Sequence, residues 1–123
     1  MNPEERLADW LDNMLVAASQ ARAFVEGKDR DDFLADKRTQ QAVAMNLLII
    51  GEVASKALEQ HADTLAGYPQ LPWTSMKGMR NRIAHGYFEL DFSVVWQTVQ
   101  RSLPELIDKL PAIIDAIRPH SGE

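Results

Sequence analysis

The chain contains no cysteine. Disulfide scaffolds, thiolate zinc sites, iron–sulfur clusters and a cysteine nucleophile are excluded together. Histidine is scarce as well. His61, His85 and His120 are far apart in sequence, so no dedicated transition-metal site is expected. Long apolar runs are missing too. Runs such as Met14 to Ala18 and Leu47 to Ile50 fall far short of the roughly 20 residues that span a bilayer. The first dozen residues carry Glu4, Glu5, Arg6, Asp9 and Asp12 with no apolar segment, which is not the pattern of a signal peptide. A cytoplasmic protein without a membrane segment is the expectation. Basic residues are in deficit, 13 Lys plus Arg against 18 Asp plus Glu, for a net charge of −5. A protein that coats nucleic acid indiscriminately would carry the opposite balance. No alternating strand pattern, internal repeat or low-complexity tract occurs.

What is present is the composition of one ordinary globular domain: 123 residues, 46% hydrophobic and 25% charged. Residues 1–123 are read as a single domain with a polar tail at 118–123. Leu7, Trp10, Leu11, Met14, Leu15, Ala18, Ala21, Phe24 and Val25 follow helical spacing, up to Gly27. Residues 29–35 read as a connector with about one helical turn. A second helix is predicted over 36–60. Its centre, Ala42 to Ile50, is apolar on nearly all sides, the mark of the most buried helix of a bundle. Gly51 then offers room for a neighbouring helix. Residues 62–72 hold Gly67, Pro69 and Pro72 and read as the main loop. A short helix follows from Trp73 to about His85, with Gly86 as its C′ residue. Apolar residues from Val95 to Ile117 keep one helical phase through Pro104 and Pro111. They predict a long helix kinked near Pro104, the alternative being a break with Ser102 and Glu105 as a capping box. The fold class is therefore all-α, an up-and-down bundle of four main helices.

Charge along the chain is uneven. From Thr64 to Phe88 there is no acidic residue, while Lys77, Arg80 and Arg82 supply +3, so the rest of the chain carries −8. Such a stretch either complements a helix dipole or grips one or two phosphates. Within it lies Met79-Arg80-Asn81-Arg82-Ile83-Ala84-His85-Gly86-Tyr87. Asn81 and His85 are four apart and lie within about 40° of each other on a helix. Arg80 stands about 140° from His85. Its long side chain, or unwinding at Gly86, has to close that gap. Ile83 and Ala84 are expected to pack inward.

Arginine and histidine together have a use in phosphodiester chemistry. Cleavage by a neighbouring 2′-OH needs a proton remover, a proton donor and a cation over the developing charge. Histidine can do either proton job near neutral pH, and arginine grips phosphate oxygens through a planar fork. The scheme asks for no metal and no cofactor. It does ask for two proton carriers, and the motif offers one histidine. A symmetric homodimer would supply the second.

Arg80-Asn81-x-x-x-His85-x-Tyr87 matches the R-x4-H-x-Y signature of HEPN-domain proteins. The wider chain resembles the HepT-type toxins among them. Phe33-Leu34-x-Asp36, Gln41-Ala42-Val43, Ile50-Gly51-Glu52-Val53-Ala54, Leu71-Pro72-Trp73, Gly78-Met79-Arg80-Asn81, Asp91 and Val95-Trp96 carry the resemblance, over about residues 4 to 115. It implies a homodimeric helical bundle that cuts RNA without metal at a cleft where two motifs meet. By position, His85 would be the general acid and base. Arg80 would bind the scissile phosphate, and Asn81 would orient His85 or the substrate. Tyr87 would receive AMP from a partner nucleotidyltransferase antitoxin of the MNT type. An added AMP would bring bulk and negative charge beside the phosphate site.

The resemblance leaves other roles open. The same motif suits a non-catalytic module that binds phosphate and serves a nucleotidyltransferase. Lys77 and Arg82 either follow the RNA backbone or merely solvate the surface. Glu52 pairs with a motif arginine or satisfies its own helix. Trp10, Trp73 and Trp96 read as core or interface anchors. Tyr68 and Phe88 stand beside loops, where packing is a commoner role than base stacking.

Overall fold

Short polar side chains start the two longest helices. Asn2 accepts a hydrogen bond from the Glu5 backbone N–H (2.8 Å), with Pro3 at the first helical position, and α1 runs Pro3–Phe24. Gly27, at φ +78°, takes the left-handed turn that follows α1, a conformation costly for any residue with a Cβ. Asp29 and Asp32 form a reciprocal capping box on α2, Arg30–Leu34, the expected single turn. Asp36 then caps α3, Lys37–Gln60. Hydrogen bonds from the Thr39 hydroxyl and backbone N–H hold the Asp36 carboxyl below the usual carboxylate range.

These coordinates are a computed structural model and describe residues 2–119, so His120 and the end of the expected polar tail lie outside the described residues. Among the described residues there is no strand. After α3 come α4 (Ala62–Ala66), α5 (Trp73–Gly86), a 3-10 turn (Tyr87–Glu89), α6 (Phe92–Gln97), a π turn (Thr98–Ser102) and α7 (Leu103–Ile117). The four main helices are α1, α3, α5 and the continuous rod from α6 to α7. α3 lies between α1 and α5, and α7 packs on the other side of α1. One apolar core runs from Leu7 to Ile117, with Phe33, Leu7, Leu11, Met14 and Leu110 fully enclosed.

Four expectations need correction. Residues 62–72 are not all loop, because Leu65 is buried and anchors the turn of α4. Gly86 is not a left-handed C′ residue. Its φ is −152°, and the chain passes directly into the 3-10 turn. Ala84 is exposed, since the face of α5 that meets the core is set by Met79 and Ile83, four apart. Arg118 is not a free tail residue, because it bonds Asp9 and Asp12 of α1.

The last rod neither breaks nor restarts at Ser102, whose dihedrals are helical and whose side chain caps nothing. It changes hydrogen-bond register instead. The Leu103 N–H reaches back five residues to the Thr98 carbonyl. That leaves the Val99 carbonyl without its α-helical donor, and Pro104, next in line, has no N–H. Arg22 of α1 fills the vacancy with one guanidinium nitrogen, donating to the Val99 carbonyl at 3.3 Å and to Gln100 Oε1 at 3.2 Å.

α3 is less enclosed than its composition implies. By length and composition alone it could cross a membrane, yet half of its most apolar window is buried inside the bundle. The rest faces out. Met45 is 57% exposed beside Val16 of α1 at 55%. With the half-buried Trp10, Leu48 and Ile49 these residues line a shallow groove of about 580 Å³ between α1 and α3.

Candidate functional site

The motif helix α5 crosses α3 at Gly51. A Cβ built on Gly51 would stand 2.1 Å from Arg80 Cβ and 2.7 Å from the Met76 carbonyl oxygen. The glycine is what lets the two backbones come this close. Glu52, the next residue, is then positioned to meet Arg80. Its Oε1 accepts from Arg80 Nε, which settles the question left open for Glu52 in favour of the ion pair. Arg80 Nη1 in turn donates to Asn81 Oδ1. A guanidinium has five N–H donors. Two are committed to Glu52 and Asn81, and three remain for a ligand. The pair is partly exposed, so it contributes orientation more than stability.

His85 occupies the opposite flank of α5. It is exposed, and with Asn81 and Arg82 it lines a cleft of about 600 Å³ against the 3-10 turn and the start of α6. α5 stays helical through Gly86, so no unwinding brings His85 toward Arg80. No hydrogen bond joins the two among the described residues. Asn81 lies between them and touches Arg80 rather than His85. One chain thus holds Glu52 and Arg80 on one side of the helix and presents His85 and Arg82 on the other, with Asn81 between them, bonded to Arg80 and lining the His85 cleft.

Tyr87 opens the 3-10 turn and does not line the cleft. It is half-buried, with ring centroids 5.8 Å from Phe92 and 5.9 Å from Phe88. Lys77 is exposed and forms no ion pair among the described residues. Trp73 is an anchor: it is buried and its indole N–H donates to the Tyr68 carbonyl at 2.9 Å. Trp96 packs on Phe33, ring centroids 5.4 Å apart. Trp10 meets His61 edge to face, with Lys56 above the ring. No group of three His, Asp or Glu able to hold a metal occurs among the described residues. The cleft also contains Glu89, Leu90, Asp91 and Val94, which the motif did not point to. The available signal was charge, because Glu89 is the first acid after the acid-free stretch.

The family model described as ribonuclease HepT-like matches residues 14–113, a span that includes α3, Glu52 and the whole of α5. The chain belongs to the HepT-like family. A Thermococcus cleftensis protein named "Probable ribonuclease HepT" is 39% identical over 101 residues, covering 82% of this chain and 89% of that one. A Methanocaldococcus jannaschii protein named "Putative RNase" is 31% identical over 115 residues, 94% of this chain and 93% of its own length. A second protein of that organism, named "Gamma-glutamylcyclotransferase and putative RNase", matches 88% of this chain with 47% of its length at 25% identity. No solved structure matches. The helical bundle expected of a HepT-like chain is the fold observed.

Proposed function

We propose that this HepT-like chain is a metal-independent endoribonuclease. In this reading it is the toxin of a HEPN/MNT pair, acts in the cytoplasm as a homodimer and is silenced by AMP transfer to Tyr87. The observation that carries the reading is the way Arg80 is held. Glu52 and Asn81 fix the guanidinium at the surface of α5 and leave three donors for a phosphate. His85 stands exposed on the same helix. One histidine takes the proton from the 2′-OH, whose oxygen attacks the neighbouring phosphorus. The other protonates the departing 5′ oxygen as the P–O5′ bond breaks. The products are a 2′,3′-cyclic phosphate and a 5′-OH. Arg80 neutralises the charge that builds on the phosphoryl oxygens.

The second histidine comes from a second copy. In one chain Arg80 and His85 lie on different flanks of α5, and a facing motif completes the set. The apolar groove of α1 and α3 is the surface that docks the copies. Glu52 lines that groove while holding Arg80, so a partner seated there lies next to the motif. Val16 and Met45 are the residues with apolar area to bury.

Two tests bear on this. Glu52→Ala is expected to lower kcat/KM for RNA by about tenfold to a hundredfold, because Arg80 loses its anchor. Glu52→Gln keeps an acceptor oxygen and restores most of the rate. Equal loss in both variants would assign Glu52 to charge balance and not to positioning. The regulatory branch is read by mass. Co-expression with an MNT-type nucleotidyltransferase is expected to add one or more AMP units, and Tyr87→Phe is expected to remain unmodified and toxic. RNA that is bound but never cut would turn the reading to a non-catalytic binding module.

A further inference from the structure

The cleft beside His85 has walls of unlike character. One is α5, with Asn81, Arg82 and His85. The other carries Glu89, which forms no ion pair or side-chain hydrogen bond among the described residues, and Asp91. Between them the surface is apolar, and Val94 is 45% exposed there. A carboxylate wall is a poor place for a phosphate chain, which it repels. It is a good place for a nucleobase, whose faces need apolar cover and whose edges carry donors. A volume of about 600 Å³ is ample for one base.

We infer that this cleft is a base-reading subsite next to the scissile phosphate, with Glu89 selecting guanine. The inference rests on the ribonuclease reading above. An ionised carboxylate only accepts, and it accepts best from two parallel donors. On the Watson–Crick edge, guanine alone offers two adjacent donors, N1–H and the 2-amino group. Adenine and cytosine each place one amino donor beside a ring-nitrogen acceptor. Uracil sets one N–H between two carbonyls. Of the two acids, Glu89 is the reader. Asp91 already uses Oδ1 to cap α6, accepting from the Ser93 N–H at 2.9 Å. Glu89 lies over Gly86, with Oε2 3.5 Å from the position a Cβ there would take. That places the carboxylate over the residue that follows His85.

The experiment has two readouts on the full chain. The first is equilibrium binding of GMP, IMP and AMP to wild type and to Glu89→Gln. The second is cleavage of uridine-rich RNA oligonucleotides containing one guanosine, inosine or adenosine. Wild type is expected to bind GMP at least about tenfold tighter than IMP, which lacks the 2-amino group, and to cut beside guanosine by a similar margin. In Glu89→Gln both ratios fall toward one. Wild type that binds GMP and IMP alike, or a Glu89→Gln variant that keeps the preference, overturns the inference even if RNA is cut. A GMP preference that depends on Glu89 supports it even if no RNA is cut, in which case only the ribonuclease reading fails.

Discussion

His85→Ala is expected to slow RNA cleavage by about two to four orders of magnitude while the helical circular dichroism spectrum stays that of wild type. The second half of that statement follows from burial. His85 is exposed, so its truncation opens no cavity. Arg80→Ala is expected to be at least as damaging to the rate. It removes the phosphate's cation and frees the Glu52 carboxylate to repel the substrate. Arg80→Lys rescues little, because an ammonium cannot reproduce the fork that meets Glu52 and Asn81 and still faces a phosphate. The shared site makes a sharper claim. In a heterodimer of wild type and His85→Ala, two independent sites would keep half the activity. A site that needs one histidine from each copy keeps almost none. Half activity in that heterodimer would remove the composite site from the proposal, and full activity in His85→Ala would remove the ribonuclease mechanism.

Much of this arrangement could be read from residue spacing. Helical periodicity placed the main helices, and the capping acids Asp29 and Asp36 fall where α2 and α3 begin. Three features were less accessible, each because it depends on distance in sequence. The partner of Arg80 lies 28 residues away, and only the crossing of α3 with α5 at Gly51 decides that Glu52 reaches it. Pro104 announces a lost N–H, but the donor that compensates is Arg22, 77 residues before the carbonyl it serves. The all-round apolar centre of α3 is ambiguous in principle. Composition states that a surface must be covered, and it does not state whether the same chain covers it. Met45, beside the exposed Val16 of α1, shows that part of it faces outward. In the candidate site, the separation of Arg80 from His85 around α5 was legible from helix geometry, whereas its outcome was not: neither the arginine side chain nor unwinding of α5 joins the two. Asn81 was expected to serve His85 or the substrate, and in the structure it serves Arg80.

Gly51 carries the second large effect, on stability and activity at once. Gly51→Ala normally gains about 1 kcal/mol of helix propensity. Here the added Cβ would fall 2.1 Å from Arg80 Cβ and 2.7 Å from the Met76 carbonyl oxygen. Neither atom can swing aside, since both belong to or sit directly on the α5 backbone, so the helices must part. Overpacking of this kind costs about 1–3 kcal/mol and sometimes more, which outweighs the propensity gain. A net loss of stability is therefore expected, seen as a fall of several degrees in melting temperature at fixed protein concentration. Parting the helices also carries Arg80 away from Glu52, and a displacement of about 1 Å can reduce turnover a hundredfold. The matched control is Gly78→Ala on the same α5. A Cβ there meets nothing within 4 Å, so the propensity gain is unopposed and the melting temperature should rise. A Gly51→Ala protein as stable and active as Gly78→Ala would mean that the α3–α5 crossing is looser than the glycine contact requires, and that Arg80 does not depend on it for its position.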